Sequence, residues 1–117
     1  MAFPGTYNFS YYRGDTYQFV IRPKNANGTI FTLDDYEGNA FFTIANRRGS
    51  SATQISGDAV VDTTNHIVTC TITGDQGRLL TGGSTYVYDV QIDNGAGVIF
   101  TLLTGSITIT DDITGAV

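Results

Sequence analysis

The chain has 117 residues, a formal net charge of −5 and only 15% charged residues against 41% hydrophobic ones. That length fits one domain able to bury a core, and no internal repeat or composition break marks a second. Lys24 is the only Lys and only Arg47-Arg48 are adjacent, so the basic stripe that phosphate neutralisation needs is missing and nucleic-acid binding is excluded.

In chain order, residues 7–12 set Tyr7, Phe9 and Tyr11 against Asn8, Ser10 and Tyr12, the alternation of a half-buried strand. Arg13-Gly14-Asp15 reads as a turn. Residues 17–22 form a second strand with Tyr17, Phe19 and Ile21 on one parity, and Pro23 ends it or marks an edge. Asn25-Ala26-Asn27-Gly28 is a turn, residues 29–33 a short strand, and residues 34–38 a turn or single helical turn. Residues 39–45 alternate Ala40, Phe42 and Ile44 with Phe41, Thr43 and Ala45. Aromatics on both parities predict burial of both faces. Residues 47–52 form a polar loop, and residues 54–62 two strand pieces around Gly57-Asp58. Asp62-Thr63-Thr64-Asn65 is a turn, and residues 66–73 a strand that starts at an exposed His66.

Thr73-Gly74-Asp75-Gln76 fits a capping box, and Gly77 limits the helix to about one turn within 74–80. Gly82-Gly83 stops it. Tyr86, Tyr88, Val90 and Ile92 then share one parity of a long strand. Asp93-Asn94-Gly95-Ala96-Gly97 is a hairpin turn, and residues 98–110 form the last strand or pair, with a bend at Gly105. Turn signals about every ten residues, seven to nine short antiparallel strands and one helical turn predict an all-β sandwich. The single domain spans 1–117, with short flexible ends at 1–5 and 112–117. Met1-Ala2-Phe3-Pro4-Gly5 has neither a basic start nor an apolar run, and no segment approaches the roughly eighteen apolar residues of a span. The expectation is cytoplasmic synthesis with no signal peptide and no membrane partner.

Catalytic groups are scarce. Cys70 is the only Cys, which rules out an internal disulfide, and it reads as a small apolar strand residue. His66 is the only His. Four residues along a strand separate the two by about 13 Å, too far for a nucleophile and its base. Asp34-Asp35 and Asp111-Asp112 are adjacent pairs that point apart, and the Asp-x-Asp-x-Asp-Gly calcium loop is absent. Zinc lacks ligands, and Gly74-Asp75-Gln76-Gly77 lacks the end of a phosphate loop. No catalytic residue, cofactor or metal is expected. Arg13-Gly14-Asp15 matches the integrin tripeptide but reads as a tight turn, and the acceptor patterns at Asn8 and Asn27 read as chance.

Several short motifs carry a resemblance. They are Tyr12-Arg13-Gly14-Asp15-Thr16, then Asn27-Gly28-Thr29 with Thr32-Leu33-Asp34-Asp35-Tyr36, the run Leu80 to Ile92, and residues 103–110. Together they resemble small tailed-bacteriophage virion proteins and the N-terminal immunoglobulin-like domain of phage upper baseplate proteins. The chain departs from the Leu-Thr-Gly-Tyr form at residues 33–36. The resemblance implies an immunoglobulin-like sandwich, in which Tyr86 starts its strand as a tyrosine corner. It also implies a virion structural role without an active site, on a tail, baseplate or capsid exterior. The expected partners are other virion proteins, with self-association through edge strands. A charge-poor Thr, Ser, Asn and Gly surface dehydrates readily against another protein. Tyr7, Tyr11, Tyr12 and Tyr36 are the contact candidates, since Tyr supplies area at low entropic cost. The alternative is a carbohydrate- or receptor-binding module using loops at one end; an enzyme would have to use His66 and Cys70.

Overall fold

The protein is an all-β sandwich of two sheets, seen in a computed structural model that describes residues 5–36, 38–49 and 54–111. The strands are β1 (Gly5–Thr6), β2 (Phe9–Tyr12), β3 (Tyr17–Ile21), β4 (Ala40–Ala45), β5 (Gln54–Ser56), β6 (Asp58–Asp62), β7 (Ile67–Ile72), β8 (Thr85–Asp93) and β9 (Ile99–Thr110). The larger sheet runs β1-β9-β8-β4-β5, with β2 also on β9; the smaller runs β3-β7-β6. Pairing is antiparallel except for β1 and β2, which lie parallel to β9. The expected flexible ends lie outside the described residues at 1–4 and 112–117; Gly5 itself pairs with Leu103. No helix among the described residues is long and apolar enough to cross a membrane.

The core follows the alternation. Tyr11, Ile21, Phe42, Ile44, Val68, Cys70, Ile72, Tyr88, Val90, Ile92, Ile107 and Ile109 are all buried. Aromatic rings close the space between the sheets where no disulfide exists: Phe9 stacks on Tyr17 at 4.6 Å, and Phe42 meets Phe19 at 5.5 Å and Tyr88 at 5.6 Å. Edge-to-face and offset pairs of this kind add to their area burial.

The chain changes sheet at Gly57, between β5 and β6. It crosses again at the corner after β7. There Thr73 Oγ1 accepts the Gln76 N–H, and the Gln76 side chain accepts the Thr73 N–H at 2.9 Å, which completes the capping box around α1 (Gly74–Gly77). The Thr81 N–H then donates to Tyr86 Oη at 3.0 Å, the bond of a tyrosine corner. Arg13 fastens the same corner from the other side. Its Nε and Nη2 donate to the carbonyls of Leu80 and Arg78 at 2.8 and 2.7 Å. The Arg-Gly-Asp turn is therefore a joint between β2, β3 and α1, and its Arg is turned inward.

Four expectations are corrected. Residues 29–33 form no strand: only the Lys24–Ile30 bridge is made, because Phe31, Leu33 and the Tyr36 that follows are drawn into the core instead, with Phe31 edge-on to Phe100 at 5.9 Å. Phe41 is 52% exposed, on the parity of β4 opposite the buried Phe42 and Ile44. His66 is half-buried with φ 54°, and its Nδ1 accepts the Leu33 N–H at 3.0 Å. The ring thus latches the 22–39 connection to the β6–β7 turn. Gly105 does not break the last strand; β9 is continuous and simply lets another backbone approach.

Candidate interaction surface

The four Tyr candidates divide by parity and by what lies above them. Tyr11 is 2% exposed and Tyr36 7%, so both belong to the core and are corrected as contact residues. Tyr11 Oη donates to the Asp15 carbonyl, and the Tyr36 ring packs near Phe31 at 6.1 Å. Tyr7 and Tyr12 are 40% and 58% exposed. Tyr7 is tied down: its hydroxyl shares a 2.7 Å hydrogen bond with Tyr17 and its ring stacks on Phe9. Tyr12 stands on β2, an open edge.

A concave site that the sequence did not reveal lies on the outer face of the larger sheet. The hollow is lined by β4, β8 and the loop after β4, and strand register sets the face around it. Thr43 faces Asp89, which faces Thr104; Phe41 faces Gln91, which faces Thr101; Ala45 faces Val87, which faces Ser106. The loop after β4 brings Arg47 and Arg48 to its rim, and the hollow measures about 270 Å³. An Arg48 N–H donates to Thr104 Oγ1, and that hydroxyl donates to the Tyr88 carbonyl at 3.2 Å. Gln91 Nε2 reaches Thr101 Oγ1 at 3.3 Å. The polar groups are thus preset by the sheet rather than free to rotate.

Asp89 is the charged centre of this face. Desolvation raises its carboxyl above the usual carboxylate range, and the nearby Arg48 guanidinium pulls it back only in part. Arg48 is engaged with Thr104, and among the described residues no ion pair neutralises Asp89. A raised carboxyl makes the ionised form unfavourable in the folded state, so the stability it permits is full at low pH and is lost as pH rises through the folded value. Asp89→Asn should therefore melt higher than the parent chain at pH 7. The gain should vanish below the ordinary Asp value of about 3.9. Thermal unfolding followed between pH 3 and 7 checks this; a variant that melts lower than the parent at pH 7 would contradict it. A carboxylate held at a cost to stability is a recurring mark of a binding site.

Of the two groups an enzyme reading would use, one is buried and the other has one ring nitrogen taken up. Cys70 is fully buried and burial pushes its thiol up to about 12, which removes the reactive thiolate. His66 Nδ1 is occupied by Leu33. No group of three or more His, Cys, Asp or Glu able to hold a metal occurs among the described residues; Asp112 of the Asp111-Asp112 pair lies outside them.

No protein-family model matches the chain, and no curated protein matches it. Among solved structures it is similar to a family 123 glycoside hydrolase from Clostridium perfringens, described for glycolipid glycan hydrolysis. The identity is 14% and the TM-score 0.36, over 92% of this chain and 23% of that one.

Proposed function

We propose that this chain is a non-enzymatic structural protein of a tailed-bacteriophage virion, which docks onto other virion subunits through the outer face of β4, β8 and β9. The observation that carries the docking reading is Phe41. It is a half-exposed aromatic on a strand paired on both sides, beside a face whose other groups are chiefly Thr, Ser, Gln and Ala. An exposed aromatic on a rigid, paired strand is the kind of anchor protein interfaces use, and a partner covering this face would meet Asp89 with a hydrogen-bond donor. The virion assignment is supported by the likeness of the Arg-Gly-Asp-Thr turn and the Tyr86–Ile92 strand to phage virion proteins. Self-association would use β3, an edge with no charged side chain between Tyr17 and Ile21, rather than β6, whose ends carry Asp58 and Asp62.

The test is made on purified particles of a phage that encodes the chain. Mass spectrometry should find it at a fixed ratio to a tail, baseplate or capsid protein, and gold-labelled antibody should mark one location. Phe41→Asp should leave melting unchanged and reduce particle occupancy at least about tenfold. Particles without the chain, or full occupancy by the variant, would end the reading.

The Asp89 hollow favours a second reading, a carbohydrate-binding module. A carboxylate, an amide and a guanidinium held on one rigid face are the donors and acceptors that sugar hydroxyls require. A glycan array showing binding abolished by Asp89→Ala, on a chain absent from particles, would select it.

A further inference from the structure

The geometry points to a binding site for a small organic anion, a carboxylate or phosphate monoester on an apolar body, in a cleft formed by Arg22, Lys24 and His66. This cleft shares no lining residue with the Asp89 hollow, and its argument does not depend on the virion reading. Arg22 directly follows β3 and His66 directly precedes β7. Those strands are antiparallel with Ile21 opposite Val68, so both residues emerge at one end of the smaller sheet. The Lys24–Ile30 bridge sets Lys24 beside them. The cleft measures about 460 Å³, and Pro23, Ile30 and Ile67 supply its apolar wall.

The case rests on which cations are committed elsewhere. Arg13 is spent on the Leu80 and Arg78 carbonyls, Arg48 on Thr104 and Arg78 on Asp75, and Arg47 also has a partner. Among the described residues, Arg22 and Lys24 make no side-chain hydrogen bond or ion pair. Both line the same cleft, in a chain of net charge −5. His66 adds a directed donor. Because Nδ1 accepts from Leu33, the proton of the neutral ring sits on Nε2, on the far side of the ring and without a partner among the described residues.

The Asp62 carboxylate, which interacts electrostatically with His66, has its oxygens taken up by backbone and side-chain amides. Asp62 Oδ1 accepts the Thr64 and Asn65 amides, and Oδ2 accepts Asn65 Nδ2. A guanidinium, an ammonium and an imidazole N–H around one hollow suit an anionic head with several acceptor oxygens. The adjoining apolar wall, where Ile30 is 57% exposed, favours a head carried on an apolar body over a bare ion.

The test is an amide NMR titration of the full chain at low salt with phenyl phosphate, benzoate and inorganic phosphate. Phenyl phosphate or benzoate should give saturable shifts centred on Lys24, His66 and Ile67, and whichever binds tighter identifies the head group. Arg22→Gln with Lys24→Gln, both exposed and so compatible with folding, should weaken binding at least about tenfold; Arg48→Gln should not. His66→Asn, which tolerates the left-handed backbone, should weaken it without the two charge changes. Unsaturable shifts, or equal affinity in the double variant, would overturn the site. Inorganic phosphate binding as tightly as phenyl phosphate would overturn the role of the apolar wall.

Discussion

Gly105→Ala is expected to lower the unfolding free energy by about 3 kcal/mol, although Ala is better suited than Gly to an extended strand. Gly105 lies inside β9 with no positive φ, so conformational freedom is not what it supplies. A Cβ there would run into the Tyr7 carbonyl and come within 3.0 Å of Asn8 Oδ1. That stretch of backbone cannot step aside cheaply. The Tyr7 N–H donates to the Thr104 carbonyl at 3.0 Å, the Ser106 N–H donates to Asn8 Oδ1 at 2.9 Å, and the Tyr7 carbonyl accepts the Tyr88 hydroxyl. Admitting the methyl breaks this set together and leaves a buried hydroxyl unpaired. Urea denaturation gives the magnitude, and amide exchange at Tyr7 and Ser106 reports whether the N-terminal strand has come loose. Tyr88→Phe loses only one of these bonds and should cost about 1 kcal/mol. A Gly105→Ala chain as stable as Tyr88→Phe would show that the approach is not a constraint.

Gly105 also illustrates why a strand could be read from the sequence while its neighbours could not. Alternation over Phe9–Tyr12, Tyr17–Ile21, Ile67–Ile72 and Tyr86–Ile92 is a local property, and it divides each strand into two faces. The capping box and the tyrosine corner are equally local, confined to Thr73–Gln76 and Thr81–Tyr86. A glycine that marks a bend and one that marks a close approach look alike until the partner, here Tyr7 nearly a hundred residues away, is in place. The same holds for residues 29–33. Their apolar content suits a strand, yet Phe31 and Leu33 close the end of the sandwich instead of joining a ladder, a choice made by the space left between the sheets.

The candidate surface was less legible for a related reason. Parity places Tyr11 inside and Tyr12 outside only once it is known which side of β2 meets the smaller sheet. Phe41 looks like a core residue because it is aromatic, yet it falls on the parity of β4 opposite the buried Phe42 and Ile44. The Asp89 hollow draws on Thr43, Arg48, Asp89 and Gln91, which are brought together by the pairing of β4 with β8 and the loop after β4, and by nothing in their spacing. The anion cleft is similar. Arg22 and His66 are 44 positions apart and meet because β3 and β7 share a register.

The contact between Phe42 and Gly57 gives the other large effect. Phe42 is 2% exposed and lies between Phe19 and Tyr88, so Phe42→Ala should cost about 4 kcal/mol through lost burial and the cavity left behind. Gly57, where the chain passes from one sheet to the other, donates its N–H to the Phe42 carbonyl at 2.8 Å. A Cβ on Gly57 would lie against the Phe42 ring, 2.8 Å from Cε2 and 3.1 Å from Cγ. Gly57→Ala alone should then cost about 2 kcal/mol by overpacking. The two penalties share one cause, the ring itself. With the ring gone, the new methyl enters the space it vacated, so the double variant should be more stable than the sum of the single losses by about 1–2 kcal/mol. Denaturation of the four chains measures that coupling. Strict additivity would mean that Gly57 serves the sheet crossing through its backbone alone, and the requirement for glycine at that crossing would have to come from somewhere other than Phe42.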